Sequence, residues 1–353
     1  MHASLKFVGL SAASVLLTLG GYGTVQADEE VNIFFNSFFP PQHFLTSSAI
    51  REWASDVEEV TEGRVTVTIP PRTAAPPQDL WMAVQRGLID GAYIFNGWAD
   101  NQITLPLVGQ LPWLSSDSSE ANSVALWRTY EEYFADTGEY EDVQLIGLFM
   151  APGAELYSMM DTPILALEDL TERKTWALAG TTADLLRAID APIVTGPAVQ
   201  MHEPISIGVV EGFAGVPLID ADAFKAMSYA RSVTVLPTKV TAPSFSMFIN
   251  KDTWERIAER DRRAIEAVSG EALAQAIGRA WDEQQAQARQ RALDNGVEFV
   301  EAPSAFYEAL QAAGDPLVQE WIDEATAKGV DAQAAITFYT QQVSSVMNGD
   351  DNG

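Results

Sequence analysis

The chain of 353 residues carries 49 acidic against 21 basic side chains, a net charge of −28, and no cysteine. Such a charge repels phosphate backbones and anionic membrane faces, so nucleic acid is not expected as a partner. With no cysteine and three histidines, disulfide, zinc and iron–sulfur chemistry have almost nothing to build on, and no cofactor or metal is expected.

The amino terminus, MHASLKFVGLSAASVLLTLGGYGTVQA, sets Lys6 before an apolar run from Phe7 to Leu19 and ends in Val25-Gln26-Ala27. That pattern is a secretory signal, residues 1–27, with cleavage expected after Ala27. Its apolar run is too short to span about 30 Å of hydrocarbon, and no later segment is apolar enough to do so. The mature chain is therefore expected to be exported to the periplasm with no covalent membrane anchor. Its acidic surface also fits adaptation to high salt, where screening relieves self-repulsion.

VNIFFNSFFPPQHF reads as a strand stopped by Pro40-Pro41. Residues 46–61 place Ala49, Ile50, Trp53, Val57 and Val60 at helical spacing, and EGRVTVTIP alternates with period two. A helix over 79–86 and a strand in GLIDGAYIFNGW follow. VQLIGLFMAPGAELYSMM is a strand pair broken at Pro152-Gly153, where a second lobe begins. RKTWAL, residues 181–189, APIVTG, residues 201–207 and VVEGFAGVPL repeat the β-α-β-α-β order. VTAPSFSMFINKD reads as a strand returning to the first lobe, the chain is helical from Thr253 to about Asp294, and a late helix covers about 304–325. The fold class is α/β in two lobes: 28–152 with about 240–282, and 153–239 with about 283–345. Residues 346–353 are expected to be a disordered tail.

Taken in order, the signal, a strand with His43 soon after, EGRVTV, GLIDGAYIFNGW, ALEDLTERKTWAL, IGVVEGFAGVP and FINKDTWERI resemble a substrate-binding protein of the tripartite ATP-independent periplasmic (TRAP) transporters, dicarboxylate-binding (DctP) type. The likeness runs from about Asn32 to Val300. It implies a two-lobed clamp, hinged on crossing strands and a long helix spanning both lobes, that closes on one small solute and hands it to a membrane permease. It implies no catalysis.

In that family the segment matching EDLTERKTWAL carries an arginine that clamps the substrate carboxylate, and here Trp176 falls on it. A guanidinium holds a carboxylate by two bonds, whereas an indole face attracts cations. The exchange points toward a small cationic amine or quaternary ammonium, such as ethanolamine or a choline-like solute. Zwitterions such as betaine or ectoine come second and plain carboxylates third. Glu155 is the candidate acid for the amine. Ligands of such folds lie at the carboxyl ends of strands, which nominates Phe38, Phe39, Phe95, Asn96, Trp98, Tyr157, Phe213, Gly215 and Phe245.

Each candidate has a plainer alternative. Trp176 can be core, and of neighbours such as Phe38 and Phe39 strand geometry sends one to each face. Lys174 shares a strand face with Trp176 and could stand in for the missing arginine; Arg173 has the wrong parity and Arg187 falls on a helix. His43 reads as a loop-fixing residue, and Asp220 and Asp222 as a turn. A secreted enzyme is the competing class, but no Gly-x-Ser-x-Gly, His-Glu-x-x-His or Walker loop occurs. Presentation of the solute to a membrane sensor is the other alternative.

Overall fold

In a computed structural model the described residues are Met1, 30–99 and 102–349. Residues 2–27 of the expected secretory signal and 350–353 of the expected tail lie outside them. Two mixed sheets organise the chain. The first contains β1 (Val31–Asn36), β2 (Val65–Thr68), β3 (Gly91–Phe95), β4 (Val143–Met150) and, arriving much later, β10 (Ser244–Asn250), in the order β2-β1-β3-β10-β4. The second contains β5 (Glu155–Ser158), β6 (Thr175–Leu178), β7 (Ile193–Gly196), β8 (Gly212–Val216), β9 (Ser232–Val235) and β11 (Glu298–Glu301), in the order β11-β9-β5-β8-β6-β7.

β10 runs antiparallel between β3 and β4, and all seven of its residues are buried. Covered on both faces, it buries its apolar residues together with Ser244, Ser246 and Asn250, whose side chains are all hydrogen-bonded. Two crossings join the sheets where 150–155 runs beside 239–244. Ala151 N–H donates to Pro243 O and Ala154 N–H to Thr241 O, both at 2.8 Å.

The helical stretch after Thr253 is three helices, Lys251–Arg256, Glu259–Ala267 and Gly270–Asp294. The long third one bridges the halves. Midway along it, Asp282 accepts from Ser119 N–H (2.7 Å) and Ser118 Oγ (3.0 Å) on the first-sheet side. Burial raises the Asp282 carboxyl above the usual carboxylate range, while those donors to its oxygens oppose the rise. At the second-sheet end, Gln285 Oε1 accepts from Ile219 N–H (3.0 Å) and Arg291 pairs with Asp222 (2.8 Å).

Two expected boundaries move. The last helix, Ala332–Asn348, lies along Ser119–Thr129 on the first-sheet side rather than with the second lobe. There Arg128 Nη1 donates to Gln342 Oε1 (3.0 Å) and Tyr339 OH to Met150 Sδ (3.4 Å). Residues 346–348, expected in a disordered tail, close that helix.

Candidate functional site

Between the two sheets lies a small cavity at the carboxyl ends of several strands, where α/β folds place their ligands. From the first-sheet side it is walled by Phe38, Phe39, Phe95, Trp98 and Phe245. Leu178, Ala198, Val216 and Asp220 close it from the second-sheet side, and Pro243 from the crossing. The cavity is ≈ 20 Å³, room for about one water, so a solute enters only if the lobes part.

The rings form a continuous set. Phe38 lies 4.6 Å from Phe39, 5.0 Å from Trp98 and 6.4 Å from Phe245 by ring centroids, and Phe95 meets Trp98 edge-on at 5.5 Å. Both phenylalanines of the first loop reach the wall, against the expected one. β1 stops at Asn36, so strand alternation no longer governs residues 38 and 39. Behind the rings runs a buried polar chain. Tyr140 OH and Ser246 Oγ lie 2.7 Å apart, Ser246 Oγ donates to Asn96 Oδ1 (2.6 Å), and Asn96 Nδ2 and Gln110 Nε2 each donate to Ser244 Oγ (2.9 Å). Asn96 thus stiffens the frame and does not line the cavity. Burial pushes the Tyr140 phenol well up, so it stays protonated in this chain.

Trp176 does not wall the cavity. It is 2 % exposed, registered beside Phe213 on β8 and Val194 on β7, and the residue of β6 that reaches the wall is Leu178, two positions on. Both share one face of the strand, but Leu178 stands at its carboxyl end while Trp176 lies deeper. Tyr157 and Phe213 are also core, stacked at 4.2 Å with planes 16° apart, and Tyr157 OH donates to Val216 O (3.1 Å). Gly215 faces the helix Thr181–Ala188; a Cβ there would come within 2.7 Å of Thr182 Oγ1, so its absence lets strand and helix approach.

Glu155 is not the acid of this cavity. Glu155 lines a separate small pocket with Thr182, Leu185 and Leu310, and its Oε1 accepts from Lys239 Nζ at 2.7 Å. Burial raises its carboxyl above the usual range, with Lys239 opposing the rise. Lys174 is exposed, and Arg173 pairs with Asp169 (2.9 Å), so neither takes the place of the missing arginine.

The acid on the wall is Asp220. Its Oδ1 lies 3.0 Å from His43 Nε2, with the two side chains 5 % and 1 % exposed. Leu45 N–H donates to His43 Nδ1 (3.3 Å), so the ring proton sits on Nε2 and is given to Asp220. His43 is seated against Phe39 (4.4 Å) and Phe224 (5.9 Å, 17° between planes). A pair drawn from a loop and a short helix 177 positions apart carries no local signal, and each half alone reads as a loop or a turn.

A wider groove of ≈ 930 Å³ crosses the outer side of the first half, lined by Trp127, Tyr130 and Trp254 among acids that include Glu131 and Glu271. It lies where β4 begins and β10 ends and shares no residue with the cavity. Among the described residues no three His, Asp or Glu side chains converge as a metal site.

Residues 35–324 match the model of the bacterial extracellular solute-binding proteins, family 7 (DctP). The chain belongs to that family. As a DctP protein it is a TRAP solute-binding protein, of a family that serves transport. It is 36 % identical over 313 residues to a Comamonas testosteroni protein named outer membrane transporter protein TsaT, covering 89 % of this chain and 92 % of that one. Among solved structures, a TRAP periplasmic solute-binding protein from Bordetella bronchiseptica with bound (R)- and (S)-mandelate superposes with TM-score 0.85 at 28 % identity, covering 90 % of this chain and 99 % of that one. A TRAP solute-binding protein from Rhodoferax ferrireducens in complex with benzoate shares the fold at TM-score 0.81 and 19 % identity, covering 91 % and 99 %. Among the described residues no helix is long and apolar enough to cross a membrane.

Proposed function

We propose that this DctP protein captures a small aromatic acid in the periplasm and delivers it to a TRAP permease. The observation that carries this reading is the cavity wall: Phe38, Phe39, Phe95, Trp98 and Phe245 surround the space between the lobes. Such a wall offers a flat ring the offset and edge-on contacts that aromatic pairs favour, each worth about 0.5–1.5 kcal/mol beyond area burial. The Bordetella relative, which binds an aryl hydroxy acid, supports the class. Closure over the ring supplies the conformational signal a permease reads.

A second reading, a small amine or quaternary ammonium, is favoured by one observation: Asp220 is the sole charged side chain among the described residues lining the cavity. An aromatic box with one acid suits a cation. Its original support is weaker than the sequence implied, since Glu155 is spent on Lys239 and Trp176 is buried in the core.

Thermal unfolding against mandelate, benzoate, phenylacetate, benzylamine, choline, ethanolamine and succinate separates these readings. A solute at about 100 times its Kd stabilises by about 2.7 kcal/mol. The aromatic-acid reading expects the aryl acids to shift the transition and the aliphatic amines to leave it in place. A response to choline and ethanolamine alone transfers the assignment to amines.

A further inference from the structure

We infer that Asp220, positioned by His43, is a specificity-determining residue of the solute site, selecting aromatic solutes that present a hydroxyl or other hydrogen-bond donor at that end of the cavity. The inference rests on the aromatic-solute reading and deepens it.

Asp220 opens the helix Leu218–Ala223 directly after β8, at the carboxyl end of that strand, and it is 4 % exposed. The other residues named on the wall offer apolar surface or rings, apart from the Trp98 N–H. An ionised carboxylate accepts hydrogen bonds and cannot donate them. His43 gives it one donor and, with Nδ1 engaged by Leu45 N–H, carries no second proton for a solute. No arginine or lysine stands among the wall residues to neutralise it. A solute enclosed here therefore meets an acceptor. Its own carboxylate must lie at another part of the cavity, because two anions sharing a desolvated space repel. The group beside Asp220 must be a donor, since hydrogen bonds to charged groups are among the strong ones, and a site built to bond a donor discriminates steeply against a solute that lacks it.

His43 serves as a positioning residue. It comes from the first-sheet side and Asp220 from the second, so their 3.0 Å contact forms across the closure and holds the carboxylate in place. Phe39 lines the cavity and also touches His43, which links the ring wall to the polar end.

The test is calorimetric affinity for matched solutes: mandelate against phenylacetate, which differ by one hydroxyl, with benzylamine as a donor lacking a carboxylate. Wild type is expected to favour mandelate over phenylacetate by about tenfold or more. Asp220→Asn, nearly the same shape but uncharged and able to donate, is expected to cut that ratio to within about threefold and to weaken benzylamine. His43→Ala should compress the ratio in the same direction, and His43→Gln, which keeps an N–H for Asp220, should restore most of it. A purely structural role for the pair would lower affinity for all three solutes together and leave their ratios alone. That result overturns the inference, as does equal wild-type affinity for mandelate and phenylacetate. If none of the three binds wild type, the aromatic reading itself has failed and the inference falls with it. Binding of phenylacetate with mandelate rejected leaves the aromatic reading standing and refutes only the role given to Asp220. Should Asp220→Asn not fold, the His43 pair of variants decides alone.

Discussion

Replacing Glu155 by alanine distinguishes a structural acid from a ligand acid. The side chain lies in the second half, its Oε1 2.7 Å from Lys239 Nζ, with Lys239 14 % exposed and Asp117, largely in solvent, 3.8 Å away on its other side. Removing one partner of a buried pair leaves the other charge uncompensated, at about 3–5 kcal/mol; partial access to water and the weak help of Asp117 lower the expected cost to about 2–4 kcal/mol. At about 2.1 cal/mol/K per residue over roughly 320 residues, the unfolding entropy is about 0.7 kcal/mol/K, so Glu155→Ala should lower Tm by about 3–6 °C. Affinity for whichever solute stabilises wild type should stay within about threefold, because Glu155 is directed away from the cavity. The double variant Glu155→Met with Lys239→Met should recover most of the loss, since a buried pair exchanged for apolar side chains is often neutral. Calorimetric unfolding with and without solute measures both quantities. Loss of binding at unchanged Tm would refute the placement and return Glu155 to the solute.

Burial holds the Glu155 carboxyl above its ordinary range, so its contribution to stability is complete below the unfolded carboxylate value and fades as pH rises through the folded one. The Tm of wild type minus that of Glu155→Gln should therefore fall as pH climbs from about 4; a difference that grows with pH contradicts the burial argument. Trp176→Arg sets a guanidinium in the core, not on the cavity wall, and should cost more than about 4 kcal/mol. A variant of wild-type stability that gains succinate binding would restore Trp176 to the site. Asp261, 3 % exposed, receives Arg64 Nε and Nη2 at 2.8–3.1 Å and ties the turn after the helix Ile50–Val60 to the helix Glu259–Ala267. Asp261→Ala should lower stability in denaturant unfolding while leaving solute affinity in place, Arg64 keeping Glu62 as a partner at the surface; a variant that loses solute binding at unchanged stability contradicts this placement. With a net charge of −28, Tm should rise from low to molar salt; a flat response removes the salt-adaptation reading.

The fold was largely legible because β1, β3, β6 and β8 are short apolar strands set off by turn residues, and their order repeats. The helix Ser119–Thr129 has no such signature, because eight of its eleven residues are buried and no polar stripe marks its period. The aromatic wall was readable too, since strand ends and the loop after β1 carry the rings. What failed was whatever depended on fine register. Glu155 reads as a strand-end acid for the solute, but Lys239, 84 positions away, holds its carboxylate. The family likeness sets Trp176 on a ligand position, yet Leu178, two residues on, is the one that reaches the wall. The His43 and Asp220 partnership depends on how two halves meet, which no window of sequence contains.

Two glycines face each other where those halves touch. A Cβ on Gly180 would stand 3.5 Å from the Cα of Gly97, and one on Gly97 would stand 3.4 Å from Ala179 O. A methyl added to either would reach the facing main chain in ordinary contact, so the two backbones stand about one methyl group apart with no side chain between them. At that seam the halves approach through backbone alone, while beside it Phe38, Phe39, Phe95, Trp98 and Phe245 bound the space left for a guest.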